Sequence, residues 1–340
     1  STEEMTWGPT VGGPIIKDKL YFYANFEKYR QKDIGPAGGS QGTNPLASGA
    51  DFNAQDVAEV QRIARDVWGF DAGSLNAGGD TELDEKALKI DWNINDNHRA
   101  SVRYSKLEQT RVRPEASSAS TLSLSSNWYN HEKRVESYVG QLFSDWTENF
   151  STEFKVSFRD YSSIRVSPTT APTIQIYFDD NVANGNDDPR GTTSSTFSGL
   201  DLIRIGTERS SPGNSLLTET WNYFGSATWT LGDHDVKFGA EYSESEIYNF
   251  FLQDSWGNYS FYVPTRNGVH DFSNLLNGRY FDYDLQANPT NPDAIAARYT
   301  NKNLSLFVQD TWYVSPNLTL TLGVRADRPG GRPDPPSHAG

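Results

Sequence analysis

The sequence contains no cysteine and only one methionine among its 340 residues. Without thiols it can form no disulfide scaffold, no Cys-ligated zinc or iron site and no thiol nucleophile. It also lacks any run of about 18 or more apolar residues, which excludes a membrane-spanning helix. No cluster of Lys and Arg is present along the sequence, and the formal charge is −14. We therefore expect no nucleic-acid partner, because neutralising phosphates requires clustered cations.

Hydrophobic residues make up only 36% of the sequence, yet aromatic residues reach 13%. A disordered chain would be depleted in aromatic residues, and about two soluble domains of this total length would need a larger aliphatic core. A transmembrane β-barrel accounts for both numbers, because only every second residue of each strand faces lipid. The composition thus favours an all-β membrane protein.

Apolar and polar residues alternate strictly in several segments, most clearly in Leu318–Arg325. The same period of two returns in Leu88–Asn95, Phe154–Arg159 and Val236–Ser243. A period of two is typical of a strand with one apolar face, and about 9 to 11 residues suffice for a tilted strand to cross a bilayer. We predict about ten antiparallel strands, with Trp7–Ile16 as the weakest.

The connections between these strands alternate in length. Short polar turns are predicted at Lys17–Lys19, Asn95–Asn97, Thr147–Asn149, Gly232–His234 and Ser315–Asn317. Long polar segments separate the resulting hairpins, at Gln31–Asp84, Thr110–Glu132, Ser167–Thr218 and Phe251–Asn301. Short periplasmic turns opposite long extracellular loops are typical of outer-membrane barrels. The sequence therefore predicts a transmembrane antiparallel up-and-down β-barrel segment with long external loops.

One loop contains a helical pattern. Asn53 is a suitable N-cap, Gly69 ends the run, and the apolar residues between them follow at helical spacing, namely Val57, Val60, Ala64, Val67 and Trp68. We predict one short amphipathic helix on the first long loop. Packing against its own loop is the interpretation we favour, and gripping a ligand or partner is the alternative.

Two hairpins carry a family resemblance. The first is Gly12–Tyr23 (GGPIIKDKLYFY) with Glu27–Arg30, and the second is Leu306–Trp312 (LFVQDTW) with Ser315–Arg325. Together they resemble the corresponding hairpins of Oar-like TonB-dependent receptors. The family continues after its final arginine with an aromatic residue and Asp, whereas this sequence continues with Ala326, and this difference suggests truncation or a reading-frame artefact.

The resemblance implies a barrel of about 22 strands in the Gram-negative outer membrane. It also implies an N-terminal plug in the lumen, energy from the TonB complex through that plug, and active transport of an unidentified bulky substrate. From this resemblance we expect the plug to be absent from this chain. We expect residues 1–327 to form a partial barrel and residues 328–340 a disordered or truncated tail. Alone, such a chain should neither close a barrel nor transport.

Two alternatives belong to other classes of protein. A passive porin or adhesin-type barrel would share the strand pattern but would lack the plug and the TonB peptide. A soluble carbohydrate-binding β-protein would stay dispersed without detergent, whereas an outward apolar band would cause aggregation. No GxSxG, Walker or dinucleotide motif is present, so the sequence does not indicate an enzyme or a cofactor.

The densest group of oxygen ligands lies in the third long segment. It comprises Asp179, Asp180, Asn181, Asp187 and Asp188. Calcium prefers such ligands, but their spacing does not match an EF-hand loop. A solvated external loop is therefore the favoured interpretation, with weak Ca²⁺ binding as the alternative. The five histidines are scattered without a zinc motif.

Aromatic and acidic residues are assigned by their place in the strand pattern. Near strand ends, we expect membrane-interface rings at Trp92, Trp146, Trp229, Trp312 and Tyr313. In the last long segment, Trp256, Tyr259, Phe261 and Tyr262 are candidates for stacking on a ligand, although packing within the loop is favoured. Acidic strand residues should face the lumen, at Asp91, Glu136, Glu153 and Glu241.

Overall fold

The structure is a computed structural model, and it describes residues 3–33, 46, 50–75, 78–115, 117–179, 200–286 and 295–334. Its strands, numbered in chain order, are β1 Glu3–Trp7, β2 Thr10–Ile16, β3 Leu20–Asp33, β4 Gly79–Asn95, β5 His98–Arg113, β6 Thr121–Ser123, β7 Tyr129–Thr147, β8 Phe150–Val166, β9 Thr173–Asp179, β10 Asp201–Ile205, β11 Asn214–Leu231, β12 His234–Phe251, β13 Asn258–Arg266, β14 Val269–His270, β15 Asp282–Asp284, β16 Ala297–Ser315 and β17 Leu318–Asp334. The helices are α1 Ala54–Asp66 and α2 Ser273–Leu276. Neither of these described helices combines the length and the apolar character needed to cross a membrane.

The long strands form one antiparallel sheet in the order β3, β4, β5, β7, β8, β11, β12, β16, β17, with β1 and β2 on the outer side of β3. Both β1 and β2 follow one register, since Trp7 lies opposite Lys28 and Thr10 lies opposite Asn25. They therefore occupy a single position, and the sheet has the ten positions that the alternation predicts. In the described residues, its first and last strands do not pair with each other, so the sheet stays open.

The five predicted short turns are all present, and they lie at the same end of the sheet because every hairpin runs antiparallel. Two of them contain residues with positive φ, Asp18 at 63° and Gly232 at 61°, which Asp and Gly tolerate better than other residues. A third is fixed by Asn95, whose side-chain oxygen accepts hydrogen bonds from the backbone N–H groups of Asn97 and His98, both at 2.9 Å. Local turn chemistry therefore sets the register of the hairpins.

Residues 328–334 of the expected tail continue β17 as far as Asp334. In that stretch Pro329 lies opposite Asn303 and Pro333 lies opposite Tyr299. The strand tolerates both prolines because it is at the edge of the described sheet, where half of the N–H groups have no neighbouring strand to pair with.

The long segments contain structure that the alternation does not predict. Their short strands form a second, six-stranded sheet in the order β14, β13, β9, β10, β6. β15 also pairs with β13, on the edge that faces away from β9. Two of its pairings are parallel, β6 with β10 and β9 with β13. We call this sheet together with α1 and α2 the loop domain. The up-and-down antiparallel description therefore holds for the main sheet but not for the loop domain.

Helix α1 begins at the predicted N-cap. The side-chain oxygen of Asn53 accepts hydrogen bonds from the N–H groups of Gln55 at 2.8 Å and Asp56 at 3.3 Å, and the Asp56 carboxylate accepts one from the Asn53 N–H at 2.7 Å. This reciprocal arrangement is a capping box. Among the apolar residues predicted for the buried face, Val67 differs, because it caps the C-terminus and is exposed.

The hydrophobic core of the described chain lies in the loop domain. Helix α1 packs one face against the second sheet, and the buried members include Val60, Ile63, Leu122, Ile176, Phe178, Ile203, Val263 and Leu275. Burying each such side chain stabilises the fold by about 1.5–3 kcal/mol before conformational entropy is counted. The helix thus packs on strands from several loops rather than on its own loop alone.

Candidate functional site

The two faces of the main sheet differ in chemistry. One face carries large apolar side chains over the half of each strand next to the short turns, among them Leu88, Ile90, Val102, Leu142, Phe154, Val156, Phe238, Leu306, Val308 and Leu322. Most of these side chains are exposed. The other face carries mainly polar and charged residues. An exposed apolar face of this width fits contact with lipid, and the polar face fits contact with an aqueous lumen.

Aromatic rings border the apolar face at the short turns. Trp92, Trp146, Trp229 and Trp312 all lie on this face, and their role at the membrane interface stays a prediction. The fifth predicted ring, Tyr313, is on the polar face, where its hydroxyl donates a 3.0 Å hydrogen bond to Asp235. The correction follows from strand geometry, since consecutive residues point to opposite faces.

A second aromatic row borders the apolar face at the other end of the strands, and the sequence analysis did not find it. Six rings form it on five neighbouring strands, Tyr104, Tyr138, Phe158, Trp221, Tyr223 and Tyr242, with successive centroids 4.8–6.4 Å apart. On β11, Trp221 and Trp229 are eight residues apart. At about 3.3 Å per residue this spacing corresponds to about 26 Å, close to the ~25 Å apolar band of outer-membrane barrels.

Carboxylates lie directly beyond this second row, on the same face. Glu136 accepts hydrogen bonds from the hydroxyls of Tyr104 at 3.1 Å and Tyr138 at 2.8 Å and pairs with Arg134. The prediction that Glu136 faces the lumen is therefore wrong. Its strand carries valines on the polar face, so the alternation around it suggests the opposite phase. The other three acids, Asp91, Glu153 and Glu241, do lie on the polar face.

The polar face carries a group of cations at the end of the strands away from the turns. We call Arg111, Arg113, His131, Lys133 and Arg165 the basic cluster. Within it, Arg111, His131 and Arg165 lie side by side on β5, β7 and β8. In the part of the chain that the structure describes, the four Arg and Lys residues form no ion pair. The same face continues toward the turns with further cations, Arg99, Arg103, Lys155 and Arg159.

The electrostatic effect of the basic cluster is seen at His131, which lies seven residues beyond the aromatic row on β7 and thus outside the membrane-spanning part, Tyr138–Trp146. The pKa of His131 is lowered to about 4, first because burial disfavours the imidazolium and then because Arg165, Lys133 and Arg113 repel it. The imidazole Nε2 lies 2.7 Å from the Ser163 hydroxyl. At neutral pH this histidine is therefore uncharged, while its neighbours attract anions.

Ion pairs join the loops of the loop domain to one another. Arg209 holds Asp254 with two parallel hydrogen bonds, Nε to Oδ1 at 2.9 Å and Nη2 to Oδ2 at 2.8 Å. This bidentate contact raises the pKa of Arg209, mainly through the hydrogen bonds to Asp254. Asp254 is buried and has a positive φ of 49°. The pair thus fixes the start of the last loop against the segment that precedes β11.

The four candidate ligand-stacking rings have different environments. Phe261 and Tyr262 are buried within the second sheet, because alternate residues of β13 point into both of its packed faces. For these two rings, burial agrees with the favoured interpretation of packing within the loops. Tyr259 is partly buried against Tyr283 and Tyr280, and Trp256 is exposed.

The calcium hypothesis falls almost entirely outside the described residues. Asp179 ends β9, and its side chain is not described; Asp180, Asn181, Asp187 and Asp188 lie beyond it, in the undescribed range 180–199. Across the ranges that the structure does describe, no three His, Asp or Glu side chains are grouped to hold a metal ion. The weak calcium site stays a prediction.

Comparisons with known proteins identify the architecture. The family described as outer membrane beta barrel domain matches residues 70–331. The fold resembles the outer membrane transporter YddB from Escherichia coli, with a TM-score of 0.55 and 12% identity over 96% of this chain and 34% of that one. It also resembles the ferripyoverdine receptor of Pseudomonas aeruginosa, with a TM-score of 0.52 and 8% identity over 98% of this chain and 37% of that one.

The siderophore receptor PirA from Acinetobacter baumannii gives a TM-score of 0.50 and 13% identity over 97% of this chain and 37% of that one. The chain thus spans about a third of the length of these structures. No curated protein matches the sequence. At such identities the structural likeness establishes the fold alone. The sequence match to the family over residues 70–331 is separate evidence.

Proposed function

The chain belongs to the family of outer membrane β-barrel domains, and from that premise we propose that it supplies the conducting wall and the external loops of a TonB-dependent active-transport receptor. Its place is the Gram-negative outer membrane, and the resemblance to TonB-dependent receptors is confirmed for the barrel portion. A soluble carbohydrate-binding protein is excluded, because the exposed apolar face needs lipid. Transport, TonB coupling and the substrate belong to the proposal.

The proposal rests on a structural difference between the two ends of the long strands. Between two aromatic rows the sheet has a lipid-facing side and a polar, cation-bearing side. Beyond the second row, the loops fold into a domain with its own core rather than into separate flexible turns. A passive pore needs only the wall, whereas a receptor also needs a structured surface that can hold a substrate before passage.

The proteins with similar folds support this interpretation by their descriptions. YddB is described as an outer membrane transporter, and PirA is described as a siderophore receptor. Because this chain spans about a third of such proteins, energy coupling is assigned to the whole receptor and not to this chain alone. In that receptor, the polar face and the basic cluster would line the route that the substrate follows.

The test is energy-dependent uptake by cells that express the complete reading frame containing this chain. Fluorescently labelled candidate substrates are supplied to otherwise identical cells with and without a functional TonB complex. The proposal predicts that uptake stops when TonB is absent. Uptake that is the same in both strains, and that rises linearly with outside concentration, would instead identify a passive porin. Binding to other cells without any uptake would identify an adhesin.

A further inference from the structure

A cavity of about 580 Å³ opens in the loop domain where three loops meet. Its walls come from the C-terminal end of α1 at Trp68–Phe70, from the segment Thr169–Ile174 before and within β9, and from β13 with the turn Gly278–Tyr280. Its volume lies within the range of about 300–1,000 Å³ that is usual for small-molecule pockets. The site therefore has the size of a ligand pocket and lies on the side of the molecule that carries the loops.

One wall of the cavity is a continuous set of aromatic rings. Trp68 packs against Phe261 with ring centroids 5.4 Å apart, Phe261 lies 6.4 Å from Tyr259, and Tyr259 lies 5.2 Å from Tyr280. Burial decreases along this set, since Phe261 is 4% exposed and Tyr280 is 52% exposed. Tyr280 therefore stands at the rim, where a ligand would meet it first.

Another part of the wall carries hydroxyl groups. Thr169 and Thr170 both line the cavity. The Thr169 hydroxyl accepts a 3.1 Å hydrogen bond from the Ala171 N–H, and a hydroxyl that accepts one hydrogen bond can still donate another. Gly69 and Gly278 border the opening with positive φ values of 74° and 64°, and a Cβ at either position would have no atom within 4 Å. The absence of side chains at these two positions leaves the entrance wide.

None of the twelve residues that line the cavity carries a charge. A charged ligand that entered would lose hydration without gaining an opposite charge, which is costly. A purely apolar ligand would displace water from the two threonine hydroxyls without offering them hydrogen bonds in return. The lining thus selects a neutral molecule that has both a flat apolar face and several hydroxyl groups.

We propose that this cavity binds a neutral sugar ring of an oligosaccharide, and, resting on the proposed function, that it is the site where the receptor first captures its substrate. The C–H face of a pyranose ring packs on Tyr280 and Trp68, as aromatic surfaces favour flat apolar partners. The sugar hydroxyls exchange hydrogen bonds with Thr169, Thr170 and the Tyr280 hydroxyl. The basic cluster on the wall is a separate surface and contributes nothing to this binding.

The experiment is isothermal titration of the 340-residue chain in detergent micelles. The probes are neutral hexasaccharides of glucose, xylose and N-acetylglucosamine and the anionic hexasaccharide of galacturonic acid. At least one neutral probe should bind, and the anionic probe should not. Tyr280→Ala should weaken binding about tenfold, the effect of losing one aromatic contact, while Tyr280→Phe should weaken it less. Trp256→Ala is the matched control, because Trp256 is an exposed loop ring that does not line the cavity.

Protease resistance of the loop domain is measured for each variant, so that a lost fold is recognised. If Tyr280→Ala disturbs it, Thr170→Val takes its place, because this change removes one exposed hydroxyl. Failure of all neutral probes to bind, equal binding of the anionic probe, or undiminished binding by a folded Tyr280→Ala variant would overturn the inference. The titration does not involve TonB. Binding of a neutral probe in the titration, together with no energy-dependent uptake by cells, would therefore contradict the proposed transport function but not the sugar-binding inference.

Discussion

Asp56 and His270 make a buried contact in the loop domain, with 2.8 Å between Oδ1 of the carboxylate and Nδ1 of the imidazole. Their side chains are 9% and 10% exposed. The His270 ring also packs edge-on against Phe178, with centroids 5.2 Å apart. Asp56 belongs to the first long loop, Phe178 to the third and His270 to the last, so this contact joins three loops at one point.

The first prediction concerns this pair. Asp56→Ala removes the carboxylate that contacts His270 and half of the capping box of α1. The free energy of local unfolding of the loop domain should fall by about 3 kcal/mol, because the buried imidazole loses the Asp56 carboxylate as a hydrogen-bond partner and α1 loses part of its cap. Amide hydrogen exchange of α1 measures the change. Glu59→Ala is the control, since Glu59 pairs with Arg62 on the exposed side of the same helix. Equal exchange rates in both variants would contradict the prediction.

The second prediction concerns the pKa of His131. Arg165→Gln and Lys133→Gln each remove a cation that repels the imidazolium, so the pKa should rise from about 4. It should stay below the ordinary value of about 6.5 because burial is the larger cause and remains. Histidine proton NMR during a pH titration measures it. Lys155→Gln, farther along the same face, should leave the value unchanged; a shift of the same size there would refute the assignment of causes.

The lowered pKa of His131 also predicts how stability changes with pH. Between about pH 6.5 and pH 4 the unfolded chain binds a proton at His131 that the folded chain does not bind. Lowering the pH through this range therefore destabilises the folded state around His131, near the start of β7. In the His131→Gln variant this part of the pH dependence should disappear, which thermal unfolding in micelles at several pH values would show. An unchanged pH dependence would contradict the assignment.

The third prediction tests which face meets lipid. Val308 and Gln309 are neighbours on β16, with Val308 on the apolar face and Gln309 on the polar face. Val308→Arg should destabilise the membrane-inserted protein by about 2–4 kcal/mol, the cost of a cation near the bilayer midplane. Gln309→Arg should change stability little, because its side chain faces water. Urea unfolding from lipid vesicles compares the two, and equal losses would reverse or remove the assignment of faces.

The fourth prediction concerns the open sheet. Among the residues that the structure describes, the first and last positions of the main sheet leave backbone N–H and C=O groups unpaired along their outer edges. A lone chain of this length should therefore form no stable conducting barrel, because unpaired backbone groups are costly in lipid. Single-channel recording in planar bilayers checks it. Steady, substrate-selective conductance by the 340-residue chain would show that the edges do close.

The sequence is sufficient for the main sheet because the information there is local. Alternation in segments such as Leu318–Arg325 marks strands, and turn residues such as Asn95 fix their ends. Helix α1 is also predictable, because its capping box and apolar spacing lie within one short segment. Glu136 shows the limit of such reasoning. Its strand carries valines on the polar face, so the alternation allows either set of alternate residues to face the lumen. Only the pairing with neighbouring strands decides between the two.

The site is less predictable because its parts come from distant segments. Arg111, His131 and Arg165 are far apart in the sequence, so no linear cluster of cations marks them, although each fits the polar phase of its own strand. The loop domain is missed for a similar reason. Most strands of the loop domain, which have two to nine residues, are too short to show a clear period, and parallel pairing gives no hairpin signal. One signal was available in β9, since Ile174, Ile176 and Phe178 recur at a period of two.

The parallel pairings of the loop domain also tie together segments that are far apart in the sequence. β6 pairs with β10 across the hairpin of β7 and β8, and β9 pairs with β13 across the hairpin of β11 and β12. Because these contacts close long stretches of chain, they carry an entropic cost that the short turns avoid, and contacts of this kind form slowly. We therefore expect the loop domain to form after the local hairpins that it connects.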